Sequence, residues 1–152
     1  MDLDLATDIN HLHDVIRHLV YQGYDITYGS RLLKGSQVIG RKFIREITSR
    51  ALSKILKAYT NTKIIDTTCG FKFLKSTRLK QLIKNGSTSD KWFFHTELLL
   101  VAEAMNLKLK AIPVKWVDDP NSKVKIFKLA CEYLKAMKVL KPKIIKLRNN
   151  QP

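Results

Sequence analysis

The sequence predicts an α/β domain built on a mixed sheet flanked by helices. Two observations predict it. Segments with the two-residue alternation of strands trade places along the chain with segments of 3.6-residue periodicity. The 152 residues, 45% hydrophobic and 27% charged, are enough for one domain with a packed core.

The elements follow in order. Residues 1–5 read as the end of an apolar strand. Such a strand normally has neighbours before it, so the sequence predicts further strands N-terminal to it. Asp8 to Gln22 reads as a helix on the spacing of Ile9, Leu12, Ile16, Leu19 and Val20, with Asp8 as N-cap and Gly23 as the C-terminal stop. YDITYGSR (24–31) alternates as a strand, and residues 32–40 read as a polar, glycine-punctuated loop. Lys42 to Tyr59 is expected as a long basic amphipathic helix. KIIDTTCGFKFLK (63–75) reads as two extended pieces around a turn at Asp66–Gly70. Lys75 to Lys84 is expected as a helix, NGSTSD (85–90) as a loop, Trp92 to Met105 as a helix and Leu107 to Val117 as one strand. DDPNSK (118–123) is a turn. A basic helix runs from Val124 to about Leu140, where Pro142 is expected to end it.

Charge narrows the partners. Twenty-eight Lys and Arg against 13 Asp and Glu leave a formal charge of +15, which favours an anionic partner such as nucleic acid, a membrane surface or a phosphorylated substrate. Nucleic acid calls for exposed aromatics interleaved with cations. The clustered Trp92, Phe93 and Phe94 read instead as core, so no specific nucleic-acid partner is expected. Cys69 and Cys131 lie far apart, with no zinc-ligand spacing around them, and are expected as reduced thiols. No apolar run approaches the ~20 residues that span a bilayer.

Six stretches carry candidate chemistry. Asp2 and Asp4 lie two apart, on one side of a strand end, where paired carboxylates can seat Mg²⁺ or Mn²⁺; the alternative is two solvated acids. Arg31, after the Gly-Ser that ends a strand, can reach a pocket rim and grip phosphate with two N–H groups, or can be a surface residue. Arg45 and Arg50 lie on the following helix on different faces, so only one is expected to join Arg31. Asp66 opens DTTCGFKF either as a turn cap or as a site acid. Glu97 sits among apolar residues, where an acid is costly unless paired, and the neighbouring His95 reads as structural. Lys123 follows the Pro-Asn-Ser turn, where a basic loop could clamp an anion. From Lys123 to Arg148 there are nine Lys or Arg and one acid, Glu132. Ile126, Phe127, Ala130, Tyr133, Leu134 and Met137 form an apolar face there. That pattern suits either an anionic interface or a packed helix with a solvated lysine side.

Taken together and in register, DLDLATD (2–8), GSRLLKGS (29–36), REITSR (45–50), DTTCGFKF (66–73), WFFHTELL (92–99) and PVKWVDDPNSKVK (113–125) resemble the second half of a family 2 glycosyltransferase. The likeness is to the polyprenyl-phosphate sugar transferases, in the dolichyl-phosphate β-glucosyltransferase subgroup. It implies a GT-A-type fold lacking its N-terminal nucleotide-binding strands. Residues 1–128 would be the C-terminal part of that domain and 124–152 a basic amphipathic helix and tail. It implies inverting transfer of a sugar, with glucose from UDP-glucose favoured, to dolichyl or polyprenyl phosphate, as part of a larger enzyme whose fragment alone is not expected to be active. By that likeness Asp2 and Asp4 match the metal-binding D-x-D, and Asp66 an acid at the reaction centre. Arg31, Arg45 and Lys123 match residues that hold acceptor phosphate. Ala6 stands where mannose-transferring relatives carry Gln, and His95 where relatives carry Asp. The implied location is cytoplasmic and peripheral at a membrane, the endoplasmic reticulum in a eukaryote. The competing reading is a non-catalytic basic module that binds anionic lipid or nucleic acid.

Overall fold

The computed structural model describes residues 6–87, 89, 92–118 and 126–150. The first helical segment changes pitch along its length. It opens as a 3₁₀ turn at Ile9–His11, continues as α1 (Leu12–Ile16) and closes with a π turn at Arg17–Tyr21. Asp8 caps it as expected, its Oδ1 accepting from Asn10 N at 3.0 Å, and Gly23 takes a left-handed φ of 71° just beyond the end.

A three-stranded mixed sheet follows the order β3–β1–β4. Strand β1 (Ile26–Ser30) runs antiparallel to β3 (Lys72–Leu74) and parallel to β4 (Leu109–Pro113). A second sheet pairs β2 (Gln37–Ile39) with β5 (Lys115–Val117) in parallel, and Thr7 adds an antiparallel bridge to Trp116. The flanking helices are α2 (Phe43–Thr60), α3 (Ser76–Lys84), α4 (Phe94–Ala104) and α5 (Ile126–Asn149).

Three expectations are corrected. Residues 32–40 contain β2, whose three residues are too short to show alternation and form a strand only by pairing with β5, more than seventy residues away. The single strand expected over Leu107–Val117 is split at Val114. The chain leaves the first sheet at Pro113, which has no N–H to continue the ladder, and enters the second at Lys115. Pro142 lies inside α5 rather than ending it. Leu140 and Ile144, each 1% exposed, bind both sides of the proline to the core, while Pro142 itself is exposed.

Two apolar clusters fill the two faces of the main sheet. Ile26 and Tyr28 of β1 point into the larger, with Leu56 of α2, Leu98–Val101 of α4, and Tyr133, Met137, Leu140 and Ile144 of α5. The smaller holds Val15, Cys69, Phe71, Ile112, Val114 and Trp116. The apolar face read on the C-terminal helix is therefore used internally where it is described: Tyr133 and Met137 are buried, although Leu134 is exposed. Ile126 and Phe127 belong to α5, but their side chains fall outside the described residues. Trp92, expected in the core, is 58% exposed, and its carbonyl accepts from Tyr133 Oη at 3.0 Å. Gly29 is where the clusters demand a glycine: a Cβ there would lie 2.8 Å from Val114 Cγ1 and 3.2 Å from Cys69 Sγ. That space lets Gly29 N donate to Phe71 O at 2.7 Å, which seats the DTTCGF turn against the end of β1.

Candidate anion-binding site at the end of strand β1

The turn places Asp66 beneath Arg31. Asp66 Oδ2 accepts from Arg31 N at 3.0 Å and Nε at 2.9 Å, and Oδ1 accepts from Arg31 Nη2 at 3.0 Å. Thr68 closes the group. Its N and Oγ1 both lie 3.1 Å from Asp66 Oδ1, and its Oγ1 accepts from Arg31 Nη2 at 2.6 Å. The guanidinium rests 4.9 Å above the Trp116 ring, so the β5 residue bridged to Thr7 is also the platform for Arg31. The Arg31 and Asp66 side chains are 9% and 3% exposed. Burial pushes the Asp66 carboxyl upward, but the charge and hydrogen bonds of Arg31, with help from Lys72, hold it well below the ordinary carboxylate range. Lys72, itself buried, donates from Nζ to the Cys69 carbonyl on the same turn.

Helix α2 and the residues just before it bring further arginines to the same corner. Arg45 Nη1 meets Asp118 Oδ1 and Oδ2 at 3.2 and 3.1 Å. Arg41 Nη2 donates to Arg45 O at 3.2 Å and Ser49 Oγ at 2.9 Å. Arg50 Nε reaches Glu46 Oε1 at 2.5 Å. Asp118 also acts on Arg31, and Arg31 on Arg41, so these groups form one electrostatic cluster. Burial and the like charge of Arg31 push the Arg41 guanidinium below its ordinary value, against Glu46, Asp66 and Asp118. Arg31, Leu33, Ser36, Arg41, Glu46 and Arg50 line a cleft of about 420 Å³ at this corner. A cleft lined by guanidinium groups, over a buried and pre-oriented arginine, is chemically a seat for an oxyanion.

Of the residues singled out in the sequence, the structure brings Arg31 and Asp66 into contact, places Arg45 beside them through Asp118, and puts Arg50 on the cleft wall. Glu97 stands apart, 5% exposed, with Oε2 accepting from Ser89 N at 2.7 Å; that amide satisfies the acid the sequence left unpaired. Asp2, Asp4 and Lys123 lie outside the described residues. Among the described residues there is no group of three or more His, Cys, Asp or Glu able to hold a metal ion.

The larger concavity is elsewhere. A groove of about 580 Å³ between the C-terminal part of α2 and α5 is lined by Tyr59, Lys138, Lys141, Pro142, Ile145 and Lys146 among others, with Lys141 Nζ 4.2 Å above the Tyr59 ring. Tyr59 is fourteen residues along α2 from Arg45, roughly 20 Å at 1.5 Å per residue, so this lysine groove is a separate feature.

No protein-family model matches the chain. Among curated proteins it is 29% identical over 123 residues to glycosyltransferase AglD of Haloferax volcanii, covering 81% of this chain and 19% of that protein. It is 32% identical over 143 residues to a dolichyl-phosphate beta-glucosyltransferase of Trichomonas vaginalis (89% of this chain, 43% of the relative). It is 30% identical over 132 residues to a protein of the same name from Drosophila melanogaster (83% and 40%). Over most of its length this chain is homologous to family 2 glycosyltransferases of the dolichyl-phosphate beta-glucosyltransferase subgroup. It spans about two-fifths of the length of the dolichyl-phosphate beta-glucosyltransferases it matches and about a fifth of the archaeal protein.

The sequence alone does not single out Arg41, Glu46, Thr68 or Asp118. Arg41 lies in irregular backbone just before α2, so no helical spacing in the sequence marks it. In the sequence Asp118 is only part of the DDPNSK turn. Its pairing with Arg45 across 73 residues follows from the β2–β5 sheet, which the sequence did not show.

Proposed function

We propose that the chain is part of an inverting glycosyltransferase that moves glucose from UDP-glucose to dolichyl or polyprenyl phosphate at an anionic membrane surface. The observation that carries this reading is the arginine cleft at the end of β1 in a chain homologous to this family. A phosphate monoester has its second pKa near 6, so at pH 7 the acceptor is already largely dianionic and needs little help from a base. What it needs is placement and charge neutralisation. Arg31, Arg45 and Lys123 supply cations for that phosphate, with Arg50 at the cleft wall. Asp66 serves the reaction centre through Arg31, fixing the guanidinium by two parallel hydrogen bonds.

Asp2 and Asp4 form a hard-oxygen donor pair of the kind Mg²⁺ or Mn²⁺ prefers, and the chain at Thr7, three residues after Asp4, is bridged to the Trp116 platform of Arg31. When bound there, the ion would neutralise charge on the departing nucleotide diphosphate. Membrane association is supported by α2. Ile44, Ile47, Ala51, Ile55 and Ala58 are exposed in one stripe, flanked by exposed Arg50, Lys54 and Lys57, and Phe43 beside the cleft is 79% exposed. No helix among the described residues is long and apolar enough to cross a membrane.

The test is transfer of radiolabelled glucose from UDP-glucose to a polyprenyl phosphate by the protein that carries this chain, with and without Mg²⁺. Metal-dependent product that falls at least about a hundredfold in Asp4→Asn and in Arg31→Gln is expected, each change removing a directly contacting charge. Undiminished transfer in both variants would reject the reading.

A further inference from the structure

The arginines at this corner have carboxylate partners of unequal quality. Asp66 and Asp118 each take hydrogen bonds through both oxygens, from Arg31 and Arg45. Arg41 is different. Its side chain is only 10% exposed, yet its Nη1 is buried without a hydrogen-bond acceptor among the described residues. The nearest carboxylate oxygen recorded for it, Glu46 Oε2, lies 3.4 Å away, at ion-pair distance but without hydrogen-bond geometry. The other oxygen of Glu46 is committed to Arg50 at 2.5 Å. One carboxylate therefore stands between two guanidinium groups and satisfies only one of them. Glu46 is 27% exposed and lines the cleft together with Arg31, Arg41 and Arg50. A side-chain rotation can give its carboxylate back to water.

A phosphate monoester dianion carries twice the charge and three terminal oxygens. It can accept from Arg50 and from the orphaned Nη1 of Arg41 at once, which a single carboxylate held at this distance does not. We infer that Glu46 is a resident counter-anion in the seat of a phosphate group, and that a phosphate monoester enters the cleft by displacing Glu46 from Arg41 and Arg50. The inference rests on reading the cleft as a phosphate seat. It adds Arg41 as a ligand and Glu46 as a competitor that sets the affinity.

The experiment is calorimetric titration of the full chain at pH 7 and low salt with two probes, inorganic phosphate and farnesyl phosphate. The proteins are the wild type, Glu46→Gln, Arg41→Gln and Arg41→Lys, with circular dichroism reporting the fold of each. Removing the competitor should make Glu46→Gln bind about tenfold tighter than wild type, and Arg41→Gln should bind about tenfold weaker, the weight of one charge-assisted hydrogen bond, with Arg41→Lys between. An equal gain for both probes assigns recognition to the phosphate alone, and a gain confined to farnesyl phosphate assigns it to a lipid monophosphate. Should Arg41→Gln fail to fold, the Glu46→Gln arm decides. Folded Glu46→Gln that binds no tighter than a binding-competent wild type overturns the inference and leaves the phosphate seat standing. A wild type that binds neither probe overturns the seat itself.

Discussion

Asp66 shows how a single side chain couples stability to the site. Its oxygens take hydrogen bonds from Arg31 and Thr68, and it is 2% exposed. Replacing it by Asn would leave the Arg31 charge buried and unpaired, an effect of about 3–5 kcal/mol on unfolding free energy. Urea unfolding at pH 7 of wild type and Asp66→Asn measures it; a loss below about 1 kcal/mol would mean that water had replaced the pair. The pH dependence has a definite sign. A carboxyl held below its ordinary value of about 4 contributes fully above that value, and its contribution is lost as pH falls below it. Wild type should therefore lose more stability than Asp66→Asn between pH 5 and the acid limit. Asp25 adds to the same trend: burial raises its carboxyl, but hydrogen bonds from Lys108 N and Arg78 overcome that and lower it. It ties α3 to the start of β4, a structural task for an acid the sequence reading passed over.

At the scale of elements, α5 and α2 divide the amphipathic work differently from their patterns. Helix α5 spends its apolar side on Tyr133, Met137, Leu140 and Ile144 in the core and turns Lys128, Lys135, Lys138 and Lys146 outward. Helix α2 buries little more than Leu56 and Thr60 and leaves aliphatic residues in the open. The proline within α5 is tolerated because packing on both sides offsets it, so Pro142→Ala should restore a backbone hydrogen bond without moving the helix. We expect a gain of about 1–3 kcal/mol, read as a raised midpoint in thermal unfolding; an unchanged or lowered midpoint would show that the proline is already strain-free.

For the whole molecule, a net charge of +15 and the outward stripe of α2 predict salt-dependent binding to anionic bilayers. Sedimentation with phosphatidylcholine vesicles, with and without phosphatidylserine, reads both contributions. Binding should require phosphatidylserine and weaken as salt rises. It should fall at least about tenfold in the double variant Ile44→Ser, Ile47→Ser, which removes two apolar side chains each worth roughly 1.5–3 kcal/mol when buried. Equal binding by the double variant would move the contact to the lysine face of α5.

The amino-acid sequence alone determined the α/β class, the helices α2, α3 and α4 to within about two residues, and the caps at Asp8 and Gly23. These rest on periodicity and local chemistry, which act over a few residues. Only the tertiary structure decided that Arg31 and Asp66 form one unit across 35 residues and that Arg41 and Glu46 share their cleft. It also decided that β2 exists, that Pro142 leaves α5 intact, and which helix keeps its apolar face from water. Those outcomes depend on pairing between distant segments and on competition for a finite core, and neither is encoded in the spacing of neighbouring residues.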